Sequence, residues 1–179
     1  MVPLGLSIAA SNRMGHLLGE KTPNRARLCA YSSIILALMF AFLNSSVLII
    51  FRDFWAYLFT SDADVAKLAR TLLPICALFQ VFDGLSGVSG GLLRGQGRQK
   101  LGAIVNVIAY YGISIPIGLC LAFLADWGVH GLWWGLSFAL FLSASTLTIA
   151  VLKTDWLREI DACQERLDAE EVARNHYEA

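Results

Sequence analysis

The sequence predicts an all-α integral membrane protein with four full transmembrane helices preceded by a partial one. Hydrophobic residues fill 56% of the 179 positions, charged residues only 16%, and the mean hydropathy is +0.59. A soluble domain is typically about 45–50% apolar and about 25% charged. The charges also cluster between long apolar runs. An ordinary soluble domain is therefore excluded, and a net charge of zero gives no support to a nucleic-acid partner.

Each predicted span is an apolar run long enough to cross a hydrocarbon core of about 30 Å at about 1.5 Å per helical residue. The runs are residues 28–51, 71–93, 101–125 and 128–152. The run 71–93 holds one acidic residue, Asp83, and the other three hold no Asp, Glu, Lys or Arg. The apolar stretch 1–12 is too short to span, so it is predicted to be part of a membrane helix. Residues 1–152 thus form a predicted membrane bundle, followed by a tail, residues 153–179.

Lys and Arg predict how the bundle is oriented. If all four spans cross, the segments 13–27, 94–100 and 153–179 lie on one side and carry 11 basic residues, against three in the segment 52–70. An excess of this kind marks the cytoplasmic side, so the C-terminal tail is predicted to be cytoplasmic.

Helical spacing in the tail predicts an amphipathic helix. Trp156, Ile160, Cys163 and Leu167 recur every three or four residues, with charges between them. Two placements remain open: on the inner membrane surface, or in solvent with partial helicity.

Asp83 is the most informative single residue. It is thirteenth of the 23 residues in its run, which places it near the bilayer midplane. A charge there costs about 2.5–3.5 kcal/mol on insertion scales, and such residues usually mark a substrate or ion pathway. Gln80 lies one turn away on the same face. We predict a site for a cation or a proton; the alternative is that Asp83 pairs with a polar group of another helix and only fixes packing.

The next span carries a polar stripe. Asn106, Tyr110 and Ser114 recur every four residues, so they share one face of that helix. They either line the same cavity as Asp83 or form hydrogen bonds between helices. In the run before it, Gly87 and Gly91 fit the small-xxx-small pattern, which predicts a close helix contact. Pro116 predicts a kink.

No pattern predicts catalysis, a metal site or a cofactor. The four cysteines are far apart and form no CxxC pair, the three histidines are scattered, and there is no Ser/His/Asp set outside the spans. The chain is therefore predicted not to be an enzyme. The sequon that begins at Asn44 lies inside a predicted span, so it is discounted as a glycosylation site.

Five segments carry a family resemblance, in this order: residues 2–19 (VPLGLSIAASNRMGHLLG), 57–62 (YLFTSD), 90–106 (GGLLRGQGRQKLGAIVN), 110–118 (YYGISIPIG) and 131–135 (GLWWG). Together they resemble the C-terminal part of MATE (multidrug and toxin extrusion) transporters of the eukaryotic type, over residues 1 to about 156. The resemblance implies helices eight to twelve of a twelve-helix fold built from two bundles. It also implies that Asp83 stands where family members carry an acid implicated in cation and proton coupling.

The implied function is export of organic cations or xenobiotics in exchange for protons, across the plasma or vacuolar membrane. Proton or sodium would be the coupling ion, no cofactor is implied, and Asp83, Gln80, Asn106 and Tyr110 are the predicted substrate- or proton-binding residues. One departure is the sequence from Arg13 to His16, RMGH, where the family usually has RVGN. Since half a cavity cannot alternate access, the chain is expected to need the missing bundle or another transporter chain as a partner. The alternative is a truncated, non-transporting membrane protein or a modulatory subunit.

Overall fold

The computed structural model describes residues 2–59 and 62–178, and in that part the chain forms seven helices and no strand. The helices are α1 (Val2–Gly19), α2 (Pro23–Ile50), α3 (Arg52–Phe59), α4 (Ala63–Gly95), α5 (Gln99–Leu124), α6 (Gly128–Leu152) and α7 (Trp156–Glu178). Four of them, α2, α4, α5 and α6, are long and apolar enough to cross a membrane. The predicted fold class is thus confirmed. Four residues lie outside the described ranges: Met1, Thr60, Ser61 and Ala179. They belong to the predicted segments 1–12, 52–70 and 153–179.

Helix boundaries differ from the apolar runs where polar residues continue a helix. The helix α1 extends to Gly19, so the predicted segment 13–27 is mostly helical and its turn is only residues 20–22. At the other end of the bundle, α4 begins eight residues before its apolar run. Asp62 caps it: the carboxylate accepts hydrogen bonds from the backbone N–H groups of Asp64 (2.9 Å) and Val65 (3.4 Å). The apolar run therefore indicates which part of α4 can contact lipid, whereas the Asp62 cap determines where α4 begins.

The central helix is α4, which packs against α1, α2 and α6, while α5 packs mainly on α6. The densest part of the core lies toward the end that carries the turns 20–22, 96–98 and 153–155, which we call the basic end. Five large apolar side chains there are almost completely buried: Met14, Leu18, Leu92, Leu93 and Leu147.

The helix α5 is irregular on both sides of Pro116. It contains two π-helical segments, Ile108–Ser114 and Cys120–Leu124, separated by the α-helical segment Ile115–Leu119. Pro116 has no backbone N–H, and wider i→i+5 turns change which carbonyls need a donor. The sequence predicts a kink at Pro116, and the structure has π-helical turns on both sides of it. Close by, a Cβ on Gly135 of α6 would lie 2.6 Å from Cα of Gly118, so the two backbones are nearly in contact.

The helix α7 docks on the protein, a contact that neither predicted placement included. Ile160 is only 6% exposed and packs into the core at the basic end, next to α1 and α2. Glu159 lies between Arg98 (3.9 Å) and Arg166 (3.7 Å), and Arg166 donates a hydrogen bond to the Gln96 carbonyl (3.0 Å). The first half of the tail helix thus covers the α4–α5 turn.

Candidate functional site

Asp83 borders a cavity of about 420 Å³ between four helices. Its walls are Pro3 and Leu4 of α1, Asn44 and Leu48 of α2, Cys76, Phe79, Gln80 and Asp83 of α4, and Trp133 of α6. The shared face predicted for Gln80 and Asp83 is therefore the face that α4 presents to this cavity. Helical spacing alone places the two side chains one above the other.

The carboxylate of Asp83 has no partner in the described part of the chain. No basic side chain there forms an ion pair with it, and it takes part in no hydrogen bond to another described residue. Its side chain is exposed, whereas the next residue, Gly84, is buried against Ala41 of α2. The backbone at this point is thus held by packing, while the carboxylate remains available to a ligand.

A second, apolar cavity of about 380 Å³ adjoins the first and shares three of its wall residues, Leu48, Cys76 and Trp133. Its remaining walls come from α3 and the first turns of α4, with Trp55 as the largest side chain. Trp133 meets Phe79 edge to face, with ring centroids 5.7 Å apart. The two cavities together place aromatic and aliphatic surface next to a carboxylate.

Asn106 and Tyr110 line a different cavity. It has a volume of about 430 Å³, lies between α5 and α6, and also has Ser114 and Leu136 in its walls. The structure therefore divides the four predicted site residues into two pairs, Gln80 with Asp83 and Asn106 with Tyr110.

A chain of hydrogen bonds leads from Asn106 of α5 through α6 to α4. Ser143 of α6 donates to Oδ1 of Asn106 (2.8 Å), and its hydroxyl lies 3.2 Å from that of Ser86. Because Ser143 donates to Asn106, Ser86 donates to Ser143. Ser86 is three residues after Asp83, so the chain joins α5 and α6 to the turn of α4 that follows the carboxylate. This is the inter-helix hydrogen bond that the sequence left open for Asn106.

The close helix contact predicted at Gly87 and Gly91 lies one turn further along α4. A Cβ on Gly91 would collide with the Ser7 hydroxyl and backbone carbonyl oxygen of α1, and one on Gly95 would collide with the Ser11 carbonyl. A Cβ on Gly87 would meet nothing within 4 Å. Gly87 instead accepts a hydrogen bond from the Ser7 hydroxyl through its carbonyl (2.6 Å). The small-xxx-small pair at this interface is thus Gly91 and Gly95.

The MatE family model matches residues 1–120. The chain belongs to the MATE family. This MATE chain is 41% identical over 166 residues to Multidrug and toxin extrusion protein 2 of Mus musculus, covering 93% of the chain and 29% of the relative. It is 39% identical over 165 residues to Multidrug and toxin extrusion protein 1 of Homo sapiens, covering 92% of the chain and 28% of the relative.

The crystal structure of the eukaryotic MATE transporter AtDTX14 is similar to this MATE chain with a TM-score of 0.87 at 32% sequence identity. The similarity covers 92% of this chain and 37% of that one. The chain thus spans less than a third of the length of the two curated relatives described above. The resemblance drawn from the five sequence segments is confirmed.

Sequence reasoning missed two kinds of residue in this MATE chain. Asn44 lines the Asp83 cavity but was considered only as a sequon, although an amide in an otherwise apolar span is itself a signal. Ser86 and Ser143 form the chain that reaches Asn106, yet hydroxyl residues are common in membrane helices, so sequence alone does not show which ones meet. Among the described residues, no group of three His, Cys, Asp or Glu side chains could hold a metal ion.

Proposed function

We propose that this chain forms part of an efflux transporter for organic cations, in which Asp83 is the carboxylate where cation and proton compete. The observation that carries the proposal is an acidic side chain that faces a cavity among four helices without a partner in the described part of the chain. A purely structural acid in a membrane span normally pairs with another group. An unpaired one can take its partner from the substrate.

Competition between a cation and a proton for the Asp83 carboxylate would explain how transport exchanges one for the other. The ionised group attracts a cation, and protonation removes that attraction, so a proton that binds from one side releases the substrate. Alternating access by rocking requires two bundles around the site, which is consistent with relatives more than three times as long as this chain. Those relatives are named for multidrug and toxin extrusion.

The apolar cavity beside Asp83 fits the rest of such a substrate. An organic cation combines a positive charge with an apolar body, and the shared walls Leu48, Cys76 and Trp133 bring both kinds of surface together. Aromatic faces such as those of Trp55 and Trp133 also attract cations directly. A site with one carboxylate and broad apolar walls selects for charge and size more than for a particular pattern of hydrogen bonds.

The test uses a chimera in which this chain replaces the matching segment of the human relative. Asp83→Asn keeps the size of the side chain but removes its charge. We expect proton-driven transport of a fluorescent organic cation in membrane vesicles to fall by about tenfold or more, since a lost charge-assisted contact removes at least about 1.4 kcal/mol of binding. Gln80→Ala should weaken apparent affinity without abolishing turnover. Imposing a sodium gradient in place of the pH gradient separates the two coupling ions.

The matched control is Asp64→Asn, the same chemical change in the first turn of the same helix, away from the cavity. It should transport as the unmodified chimera does, and membrane abundance should be equal for all variants. Undiminished, pH-dependent transport by Asp83→Asn would remove Asp83 from the mechanism.

A further inference from the structure

A groove of about 640 Å³ runs between α1 and α2 at the basic end, apart from the Asp83 cavity. Two arginines line it, Arg13 from α1 and Arg25 from the first turn of α2. Both are exposed, and neither forms an ion pair with another residue in the described ranges. No acidic residue is among the described residues that line the groove. Two unpaired guanidinium groups thus face one apolar concavity.

The walls of the groove change character with depth. Ser32 lies seven residues after Arg25 in α2, about 10 Å further along the helix axis at about 1.5 Å per residue. Leu36 lies about 6 Å beyond Ser32, and the apolar side chain of Leu28, 69% exposed, borders the same groove. From the basic end inward along α2, the charged side chain of Arg25 is followed by aliphatic and hydroxyl side chains, in the order Leu28, Ser32 and Leu36.

We propose that this groove binds one anionic phospholipid. Its phosphate would lie between Arg13 and Arg25, its ester region near Ser32 and Ser33, and one acyl chain against Leu28 and Leu36. A phospholipid likewise has a charged headgroup at one end and aliphatic chains beyond it, and guanidinium groups bind phosphate oxygens with paired hydrogen bonds. Basic pockets between membrane helices are a general way to hold anionic headgroups. The proposal does not depend on the transport function.

Free phosphate would use the arginines but not the aliphatic wall, so the presence of Leu28 and Leu36 in that wall favours a lipid over a soluble anion. A further protein segment packed into the groove would use the leucines but would leave two guanidinium groups unpaired. The lipid is the occupant that satisfies both parts of the groove.

The test measures lipid retention by the purified 179-residue chain with native mass spectrometry, after equilibration with equal amounts of phosphatidylglycerol and phosphatidylcholine in detergent. Each basic residue close to an anionic headgroup contributes about a fivefold preference, so two predict about a twenty-five-fold preference for phosphatidylglycerol, with one lipid per chain. The double variant Arg13→Gln/Arg25→Gln should lose nearly all of this preference.

The matched control is Arg27→Gln/Lys100→Gln, which removes the same charge at the same end but outside the groove; Arg27 lies over the Tyr31 ring, 5.6 Å from its centroid. The control should keep the preference. If the double glutamine variant fails to fold, Arg13→Lys/Arg25→Lys provides the test: it keeps the charges but loses the paired geometry, and should retain only part of the preference.

Several results would overturn the proposal. One is equal retention of the two lipids by the unmodified chain, and another is an equal loss in the control variant. Displacement of the lipid by millimolar inorganic phosphate would show a site for the headgroup charge alone. A fourth result concerns the chimera described above. If its lipid retention is the same with and without Arg13→Gln/Arg25→Gln, a protein segment fills the groove.

Discussion

The two halves of α4 differ from each other in how closely they pack against the rest of the bundle. From Ala63 to Asp83, only three residues are buried: Ala66, Ile75 and Ala77. From Gly84 to Gly95, seven of twelve are buried: Gly84, Ser86, Val88, Ser89, Gly91, Leu92 and Leu93. We call these the open half and the packed half. Asp83 is the last residue of the open half, so a carboxylate that faces a cavity directly precedes the packed half of the helix.

Residue size explains the difference. Lipid provides no hydrophobic driving force between helices, so association depends on close packing and hydrogen bonds, both of which small residues allow. The packed half has glycine or serine at Gly84, Ser86, Ser89, Gly91 and Gly95, which brings α1 and α6 close. The open half has larger side chains such as Leu72, Leu73 and Phe79, which border the cavities instead. In α4, glycine and serine of the packed half therefore allow close contacts with neighbouring helices, whereas large side chains of the open half border the cavities.

The largest effect should follow from filling the packed half. Gly91→Ala places a Cβ against the Ser7 backbone of α1, and overpacking of this kind costs about 1–3 kcal/mol. Gly87→Ala, one turn away in the same helix, meets open space and should change stability by less than about 0.5 kcal/mol. Both stability changes can be measured by heating the purified chain and monitoring the loss of folded protein by size-exclusion chromatography. Equal effects would show that the two glycines have equivalent surroundings.

A smaller effect should follow from breaking the hydrogen-bonded chain beside the packed half. Ser143→Ala leaves Ser86 and Asn106 without their shared partner, and such bonds in membrane proteins contribute about 0.6 kcal/mol on average, up to about 1.7. Ser145→Ala is the control, since its hydroxyl bonds to no other described residue. A double-mutant cycle with Ser86→Ala should show coupling between the two serines. Strict additivity would mean that the bond contributes nothing.

The smallest effect on stability should come from the open half. Asp83→Ala removes a side chain without a partner among the described residues, so we expect a change within about 0.5 kcal/mol in the same unfolding assay. A loss greater than that of Ser143→Ala would show that Asp83 fixes packing, the alternative that the sequence left open. Stability and transport thus test the carboxylate separately.

Most of the fold could be predicted from hydropathy because each long apolar run requires a helix to satisfy its backbone in lipid. The end of α1 and the starts of α2 and α4 could not be read from those runs, since amphipathic or charged turns such as Lys67 to Arg70 continue a helix beyond the apolar stretch. The docking of α7 was also missed. It depends on contacts of Glu159 and Arg166 with a distant turn, which helical spacing in the tail cannot show.

Of the candidate site, Asp83 and Gln80 could be predicted because a charge at mid-membrane depth is costly and helical spacing places its neighbours. Asn106 and Tyr110 were placed on a face correctly, but a helical face does not say which cavity it meets. Asn44 lies in α2, 39 residues before Asp83 in the chain. It lines the same cavity only because α2 packs against α4.

The sequence by itself determined that the chain is an all-helical membrane protein of the MATE family and that a single acid lies deep in one span. These properties depend on composition, run length and local spacing, which are the same in any arrangement of the helices. Only the tertiary structure decided that a side chain at Gly91 or Gly95, and not at Gly87, would collide with α1. It also decided that Asn106 accepts a hydrogen bond from Ser143 and that Asp83 borders a cavity. Those outcomes depend on the rotation and depth of one helix against another, and a shift of one residue along a helix turns a side chain by about 100°.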